Sequence, residues 1–277
     1  MKTWMAIALG WAMAACAHAA SPERVVTLGG SVTEIVYRLG QEKKLVGDDL
    51  SSLYPEAATK LPRVGYYRAV PVEGVLALKP DLVLASEQAG PPEALKRLGE
   101  VGVRVVTLSD QPSVESLMDR IHGVAEALDA QAEGERLAAS VAQDLERAEA
   151  LPATRARAVL LVNRTGTPQG AGAGTAANEV LRLAGLENAL AGQQGYKPVS
   201  AEAMGALAPD IIVITQTSLQ ATGGMEALLR LPGIASTPAA SRRRVVVMDD
   251  LLILGMGPRL PQALTELKQE AARAMAR

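Results

Sequence analysis

The chain has 277 residues, 48% of them hydrophobic and 21% charged, with a formal net charge of −2. That length admits two compact domains or one large one with an ordinary globular surface. The balanced charge, with no basic stripe interleaved with aromatics, excludes nucleic acid as a partner, and the basic run Arg242-Arg243-Arg244 ahead of a strand pattern reads as a solvated turn.

Residues 1–19 read as a secretion signal: Lys2, an apolar stretch from Trp4 to Ala15, then Ala17-His18-Ala19 as an A-x-A cleavage site. The stretch is too short to span a bilayer. A lipoprotein signal using Cys16 is the rival, weakened by Met13 at its first position. Cleavage after Ala19 sends the chain to the periplasm and removes both Trp residues and the only Cys. With Lys2 gone as well, the net charge goes from −2 to −3. What remains has no Phe, one His (His122) and five Tyr. A Cys-based metal site and a three-His zinc site are both excluded, and the core forms in an oxidising compartment without disulfides.

Arg24–Leu28 is a β-branched run ending in Gly29-Gly30 and predicts a strand. Ser31 and Glu34 predict a capping box for a helix that runs to about Leu39 and stops at Gly40. Leu45–Gly47 predicts a second strand, and Asp48–Leu61 a polar loop. Gly65–Pro71 is loop-like, Val72–Leu78 has helical spacing, and Lys79-Pro80-Asp81 breaks it before the buried strand Leu82–Ala85. A helix opens at Pro91-Pro92, and Val103–Leu108 is another strand. Val114–Leu151 is helical for most of its length, interrupted at Gly123 and Gly134, and ends in a long helix from Ala132 to Leu151. The alternation resumes with strands at Ala158–Val162, Ile211–Ile214 and Val245–Met248. Helices fall at Ala176–Leu183, Met225–Leu229 and Leu260–Ala276, the last with Pro261 in its first turn. The predicted class is α/β: two parallel-sheet lobes, 20–125 and 153–277, joined by one long helix within 126–152.

An internal repeat supports the division. Glu73–Leu84 aligns without gaps on Glu202–Val213, with the Glu, a Leu, Pro-Asp and the apolar triplet in register. A Gly-Tyr pair precedes each copy, shifted by one residue. A helix–Pro-Asp–strand unit is common enough that shared architecture alone can produce such a match.

Catalytic constellations are scarce. Any Ser–His arrangement rests on His122, which stands in an amphipathic helix pattern, and no Gly-x-Ser-x-Gly occurs, so a secreted α/β hydrolase is set aside and no enzyme is expected. Asp48-Asp49 and Asp249-Asp250 are adjacent pairs that suit a cation or a helix cap, with capping or solvation the default. The Gly170–Thr175 loop fits neither dinucleotide nor phosphate-loop spacing; it offers backbone N–H groups to a carboxylate or is simply flexible. Tyr66-Tyr67-Arg68 is the most chemically loaded cluster. A phenolate is a hard donor suited to ferric iron, Tyr is a known axial ligand of haem, and Arg68 and Arg63 favour the ionised phenol. The competing reading makes both rings packing aromatics of the lobe.

Several segments carry a family resemblance: Val64-Gly65-Tyr66 with Glu73-Gly74-Val75-Leu76; Lys79 to Ser86; Tyr196-Lys197-Pro198 with Ser200-Ala201-Glu202-Ala203; and Asp249-Asp250-Leu251 through Gly257-Pro258-Arg259-Leu260-Pro261. In these the chain resembles the periplasmic haem-binding proteins of haem-uptake ABC transporters, within the wider class of binding proteins whose lobes share one long helix. The resemblance implies a ligand cleft between the lobes, haem b as the transported ligand, and Tyr66 as axial iron ligand. Tyr67, Arg68, Tyr196 and Arg259 are the further haem-contact candidates. It also implies that Glu73 and Glu202, one per lobe, dock onto arginines of an inner-membrane permease dimer. A monomer is expected, with an outer-membrane haem receptor upstream. Two departures bear on the iron: the mature chain has no second-lobe His, and Thr215-Gln216-Thr217-Ser218 stands where some relatives carry a basic residue. The same fold binding a ferric siderophore or cobalamin is the alternative.

Overall fold

The computed structural model, which describes residues 21–164 and 166–277, holds two sheets whose chain segments are joined by one long helix. The predicted signal, with its Cys16 alternative, lies outside the described residues. The first lobe runs β1 (Val25–Leu28), α1 (Gly30–Arg38), β2 (Leu45–Asp48), α2 (Val72–Ala77), β3 (Leu82–Ser86), α3 (Pro92–Glu100), β4 (Arg104–Leu108) and α4 (Val114–Ala127). Its sheet has the order β2-β1-β3-β4 and every pair is parallel. The central strands β1 and β3 are buried along their whole length, which is why both read as unbroken apolar runs rather than alternations. Their register, Val25↔Leu82 to Leu28↔Ala85, brings their carboxyl ends together. There Gly29 has φ 127, and a Cβ on it would meet the Ser86 Cβ at 3.1 Å, so the turn requires glycine.

The predicted capping box at Ser31 and Glu34 does not form. Gly29 is the N-cap of α1, and both side chains are buried inside the helix. Ser31 Oγ accepts from Arg120 Nη1 at 2.7 Å and Glu34 pairs with Arg259 at 3.1 Å. Charged tertiary partners have taken the groups that the local motif would have used.

The next helix, α5 (Gln131–Glu149), is the predicted long one. The break before it falls at Leu128–Ala130, where Asp129 has φ 57, and not at either glycine. Gly123 and Gly134 are instead points of close approach: a Cβ on Gly134 would meet Ala125 Cβ at 2.5 Å, and one on Gly123 would meet Leu108 Cδ2 at 2.8 Å.

The second lobe continues with β5 (Arg157–Val162), β6 (Gln169–Ala171), α6 (Ala176–Leu183), β7 (Glu187–Asn188), β8 (Tyr196–Pro198), α7 (Ala201–Leu207), β9 (Ile211–Thr215), α8 (Gln216–Ala221), α9 (Met225–Arg230), α10 (Pro238–Ser241), β10 (Val245–Met248), α11 (Asp250–Leu254) and α12 (Leu260–Met275). Its sheet has the order β10-β9-β5-β6-β8, with β7 also on β5. β10, β9 and β5 are mutually parallel, as predicted, but β6 and β8 extend the sheet in antiparallel pairs. These two strands are three residues each, too short to leave a periodic signal, and β6 takes Gly170 and Ala171 out of the predicted glycine loop.

One apolar core crosses both lobes. It runs from Ile35 and Leu84 through Ile121, Val124, Leu137, Val141 and Leu145 to Leu160, Ile211 and Leu264. The charged side chains inside this seam each find at least one partner, although single atoms of Arg120 and Arg244 stay without a hydrogen bond. Arg120 is fully buried and donates to Ser109 O, Ser31 Oγ and, from the second lobe, Met256 O, while pairing with Asp110 at 3.1 Å. Arg244, expected in a solvated run, is 6% exposed and donates to Met275 O at the end of α12. Lys268 on α12 is buried at the carboxyl end of α5 and donates to Ala148 O, Glu149 O and Leu151 O at 2.8–3.0 Å, satisfying carbonyls that a helix end leaves without partners. Lys268→Met keeps the length and removes the ammonium. It strands three carbonyls and costs roughly 3 kcal/mol, read as a lower urea midpoint at unchanged slope.

Candidate functional site

The cleft side of each sheet is its carboxyl edge, where α/β sheets place ligands. In the first lobe that edge is organised by Asp49, the residue after β2. Asp49 is fully buried. Its carboxylate accepts from Gly29 N at 2.9 Å, Ser51 N at 2.9 Å, Ser51 Oγ at 2.8 Å, Ser52 Oγ at 3.3 Å and Tyr67 N at 3.2 Å. The segment leading to the tyrosines lies along the end of β2, with Val64 N donating to Asp48 O and Asp48 N to Pro62 O. Gly65, at φ 101, turns the chain, and a Cβ there would press on Pro71 at 3.1 Å. Tyr66 is extended, and a short 3₁₀ turn, Tyr67–Ala69, follows.

Tyr66 and Tyr67 meet edge to face with centroids 5.0 Å apart. Arg68 donates to the Tyr67 hydroxyl at 2.9 Å, lies 5.2 Å from that ring and is held by Gln88. Burial pushes the Tyr67 phenol above its usual range, and Arg68 only partly offsets this. Across the cleft stands Arg164, two residues beyond β5, whose Nη1 donates to the Tyr66 hydroxyl at 3.4 Å. The sequence reading missed Arg164. No motif surrounds it, but its position just past a buried parallel strand is the signal that finds it. Tyr196 on β8 is near the same charge: desolvation pushes its phenol above its usual range, opposed first by Arg164 and then by Thr175, the Ala177 amide and Arg68. Five side chains from both lobes, Tyr66, Tyr67, Arg68, Arg164 and Tyr196, thus share one electrostatic neighbourhood.

Other candidates sit elsewhere. Arg259 is 11% exposed at the lobe seam, paired with Glu34 and stacked 3.6 Å over the Tyr54 ring, and it lines a side cavity of about 430 Å³ with Arg38 and Arg147. Arg63, expected to favour the Tyr66 phenolate, is engaged by Asp49 O, Ser52 O and Asp48. Asp249 caps α11 through Leu252 N, and Asp250 accepts from Thr217 N. His122 is exposed on α4 beside Glu135. Among the described residues no group of three or more His, Cys, Asp or Glu is placed to hold a metal ion.

Glu73 and Glu202 are both exposed, in the first turns of α2 and α7. Their surroundings repeat down to the backbone. Lys79 (φ 48) and Ala208 (φ 43), in register with each other, are both left-handed, and each following Asp binds the start of the adjacent strand: Asp81 accepts from Arg24 N and Asp210 from Arg157 N.

Two α/β lobes on a shared core, with a cleft between their carboxyl edges, define a two-lobed solute-binding protein. The chain belongs to the Periplasmic binding protein family, matching it over residues 25–252. It is similar to the solved periplasmic heme-binding protein BhuT in complex with two hemes, with 42% identity, a TM-score of 0.87, and 91% of this chain and 98% of that one covered. It is also similar to the periplasmic heme-binding protein RhuT from Roseiflexus sp. RS-1 in apo form, with 40% identity, a TM-score of 0.88 and coverage of 91% and 99%. Among curated proteins it is 32% identical over 255 residues to the uncharacterized ABC transporter substrate-binding lipoprotein YvrC of Bacillus subtilis (strain 168), covering 90% of this chain and 79% of that one. Over 212 residues it is 32% identical to the vitamin B12-binding protein of Vibrio vulnificus (strain YJ016), covering 74% and 76%.

Behind the tyrosine turn, Asp48 is fully buried. Desolvation, offset by Arg63 and reinforced by Asp49, raises it from 3.8 to about 7. A carboxylate whose folded value lies above its unfolded one takes up protons on folding, so stability falls as pH rises between those two values. Asp48→Asn removes this slope: the drop in Tm from about pH 5 to about pH 8 shrinks in the variant, and an undiminished drop would refute the assignment.

Proposed function

We propose that this protein captures haem in the periplasm and delivers it to an ABC permease of the inner membrane. The observation that carries this reading is the Tyr66 hydroxyl. It stands in the cleft, and its one hydrogen-bond partner among the described residues is a long contact from a guanidinium of the opposite lobe. A phenol so placed is open to a ferric ion, and Arg164 and Arg68 stabilise the charge that the phenolate brings. The likeness to BhuT and RhuT at 40–42% identity over almost their whole length supports the ligand class.

Haem, arriving from an outer-membrane receptor, is the cargo here, with Tyr66 as its axial iron ligand. Tyr67, Arg68, Arg164 and Tyr196 line the site; Tyr67 and Tyr196 stay protonated and donate or pack. Arg259 contributes through the seam, holding Tyr54 rather than the macrocycle. Burying about 400 Å² of porphyrin yields roughly 10 kcal/mol gross, and association costs of about 4–15 kcal/mol absorb much of it. Tight capture therefore leans on the iron–phenolate bond. Residues 1–19 serve as the export signal, and the monomer acts alone.

Glu73 and Glu202 are the permease-docking pair. Two exposed carboxylates at equivalent positions of a repeated helix–turn–strand unit suit two symmetric basic pockets on a permease dimer. The likeness to an ABC transporter substrate-binding lipoprotein supports such a partner.

The similarity to a vitamin B12-binding protein favours cobalamin as the second reading. Cobalamin brings its own cobalt ligands and needs no protein tyrosine. A titration with hemin beside cyanocobalamin separates the two. On the haem reading hemin saturates the protein and shows the tyrosinate-to-iron charge-transfer band. Tyr66→Ala abolishes that band and weakens binding by more than about 100-fold, some 3 kcal/mol; an unchanged spectrum and affinity would sink it. Glu73→Ala with Glu202→Ala leaves hemin affinity intact and stops haem transfer to permease-containing vesicles, and transfer at the wild-type rate would refute the docking role.

A further inference from the structure

Large hydrophobic side chains are strongly exposed at few described positions, and three of these fall within five residues: Leu50 (55%), Leu53 (50%) and Tyr54 (41%). The backbone beneath them is held from inside the lobe. Asp49 and Ser52 are fully buried; Asp49 takes the amide and hydroxyl of Ser51, and Ser52 shares a 2.7 Å hydrogen bond with Thr33. Arg63 clamps the same loop by donating to Asp49 O at 2.5 Å and Ser52 O at 3.1 Å. Residues 49 and 52 turn inward and bind, so residues 50 and 53 turn outward.

The loop's position gives that outward face a direction. Leu50 N donates to Gly65 O at 2.8 Å, which sets Leu50 against the residue before Tyr66. At the other end the Tyr54 ring lies under Arg259 of the second lobe. Between them the Ser51 carbonyl closes on Gly30, where Leu251 of the second lobe also reaches. The segment therefore spans the interlobe space from the tyrosine turn to the opposite lobe. Asp49 Oδ2 accepts from both Ser51 N and Tyr67 N, so one carboxylate oxygen fixes this loop and the Tyr66 turn in a common frame.

An exposed apolar patch costs solubility, and a loop that displays two leucines while tied down by buried hydrogen bonds is a built surface. We propose that Leu50 and Leu53 form the apolar wall of the cleft and receive one face of a planar, largely apolar macrocycle. This rests on the haem reading and deepens it: Tyr66 holds the metal, and the leucine wall holds the ring whether or not a metal is present.

Metal-free protoporphyrin IX isolates the wall, because it offers the ring without the iron bond. Hemin and protoporphyrin IX are titrated into the wild type, the double variant Leu50→Ser with Leu53→Ser, and Tyr66→Ala. Both leucines are surface residues, so the double variant folds with little change in Tm. The wild type binds hemin and, more weakly, protoporphyrin IX. The double variant loses roughly tenfold per leucine for both ligands and keeps the charge-transfer band at hemin saturation. Tyr66→Ala loses affinity for hemin alone. A double variant that binds protoporphyrin IX as tightly as the wild type, or a wild type that binds hemin but no protoporphyrin IX, overturns the wall and leaves the haem reading standing. A wild type that does not bind hemin overturns the haem reading, and the wall with it.

Discussion

A single buried carboxylate holds the first lobe's half of the cleft together. Asp49 gathers the amide that opens α1, the hydroxyls of two serines and the amide of Tyr67, groups drawn from three separate stretches of chain. A fully buried anion is expensive unless hydrogen bonds satisfy its lone pairs. Here the donors are backbone amides and short hydroxyls, which form only when the loop, the turn at Gly29 and the tyrosine turn are all in place. The desolvation of one charge is thus converted into a geometric constraint on Tyr66 and on the leucine loop together. Its neighbour Asp48 shows the reverse case: Arg63 is its partner, both of its oxygens lack a hydrogen bond, and its pKa moves up to about 7.

The second constraint is the seam. The apolar core is continuous from the first sheet through α4 and α5 into the second sheet, and four charged side chains cross or cap it: Arg120 reaching Met256, Glu34 with Arg259, and Lys268 on the end of α5. Buried ion pairs add little net stability against apolar substitutes, but their geometry is exacting. Glu34 and Arg259 pair through Nε and Oε2 in one lobe arrangement, and separating them would strand two charges in the core. The lobes therefore meet in a defined relation.

The strands were legible wherever burial on both faces made them continuous apolar runs, as in β1, β3, β5 and β9. The helices were legible where a glycine or proline marked an end. What the sequence hid was decided by tertiary contact. Ser31 and Glu34 spell a capping box, yet Arg120 and Arg259 claim them. Gly134 looks like a helix breaker and is in fact the notch that admits Ala125. β6 and β8 exist because each pairs with a neighbour, and neither has length enough to advertise itself. At the site, Tyr66-Tyr67-Arg68 stood out by composition in a chain poor in aromatics, whereas Arg164, Leu50 and Leu53 are ordinary residues made special by the carboxyl edges they occupy.

These placements change the balance of the site. From sequence alone the iron site leans on the first lobe, because the tyrosine cluster has no counterpart in the second copy of the repeat. The structure brings the second lobe back in through Arg164 at the end of β5 and Tyr196 on β8, which face that cluster with charge and a neutral phenol. The two halves of the cleft are unlike in chemistry, while the outer faces bearing Glu73 and Glu202 are alike down to a left-handed residue at the same place in each turn. The unlike halves suit the proposed capture of haem through one axial tyrosine, and the repeated outer surface suits the proposed docking on a permease dimer. A duplicated α/β unit supplies both when divergence is confined to the carboxyl edges of its strands and the helix–turn–strand frame behind them is kept.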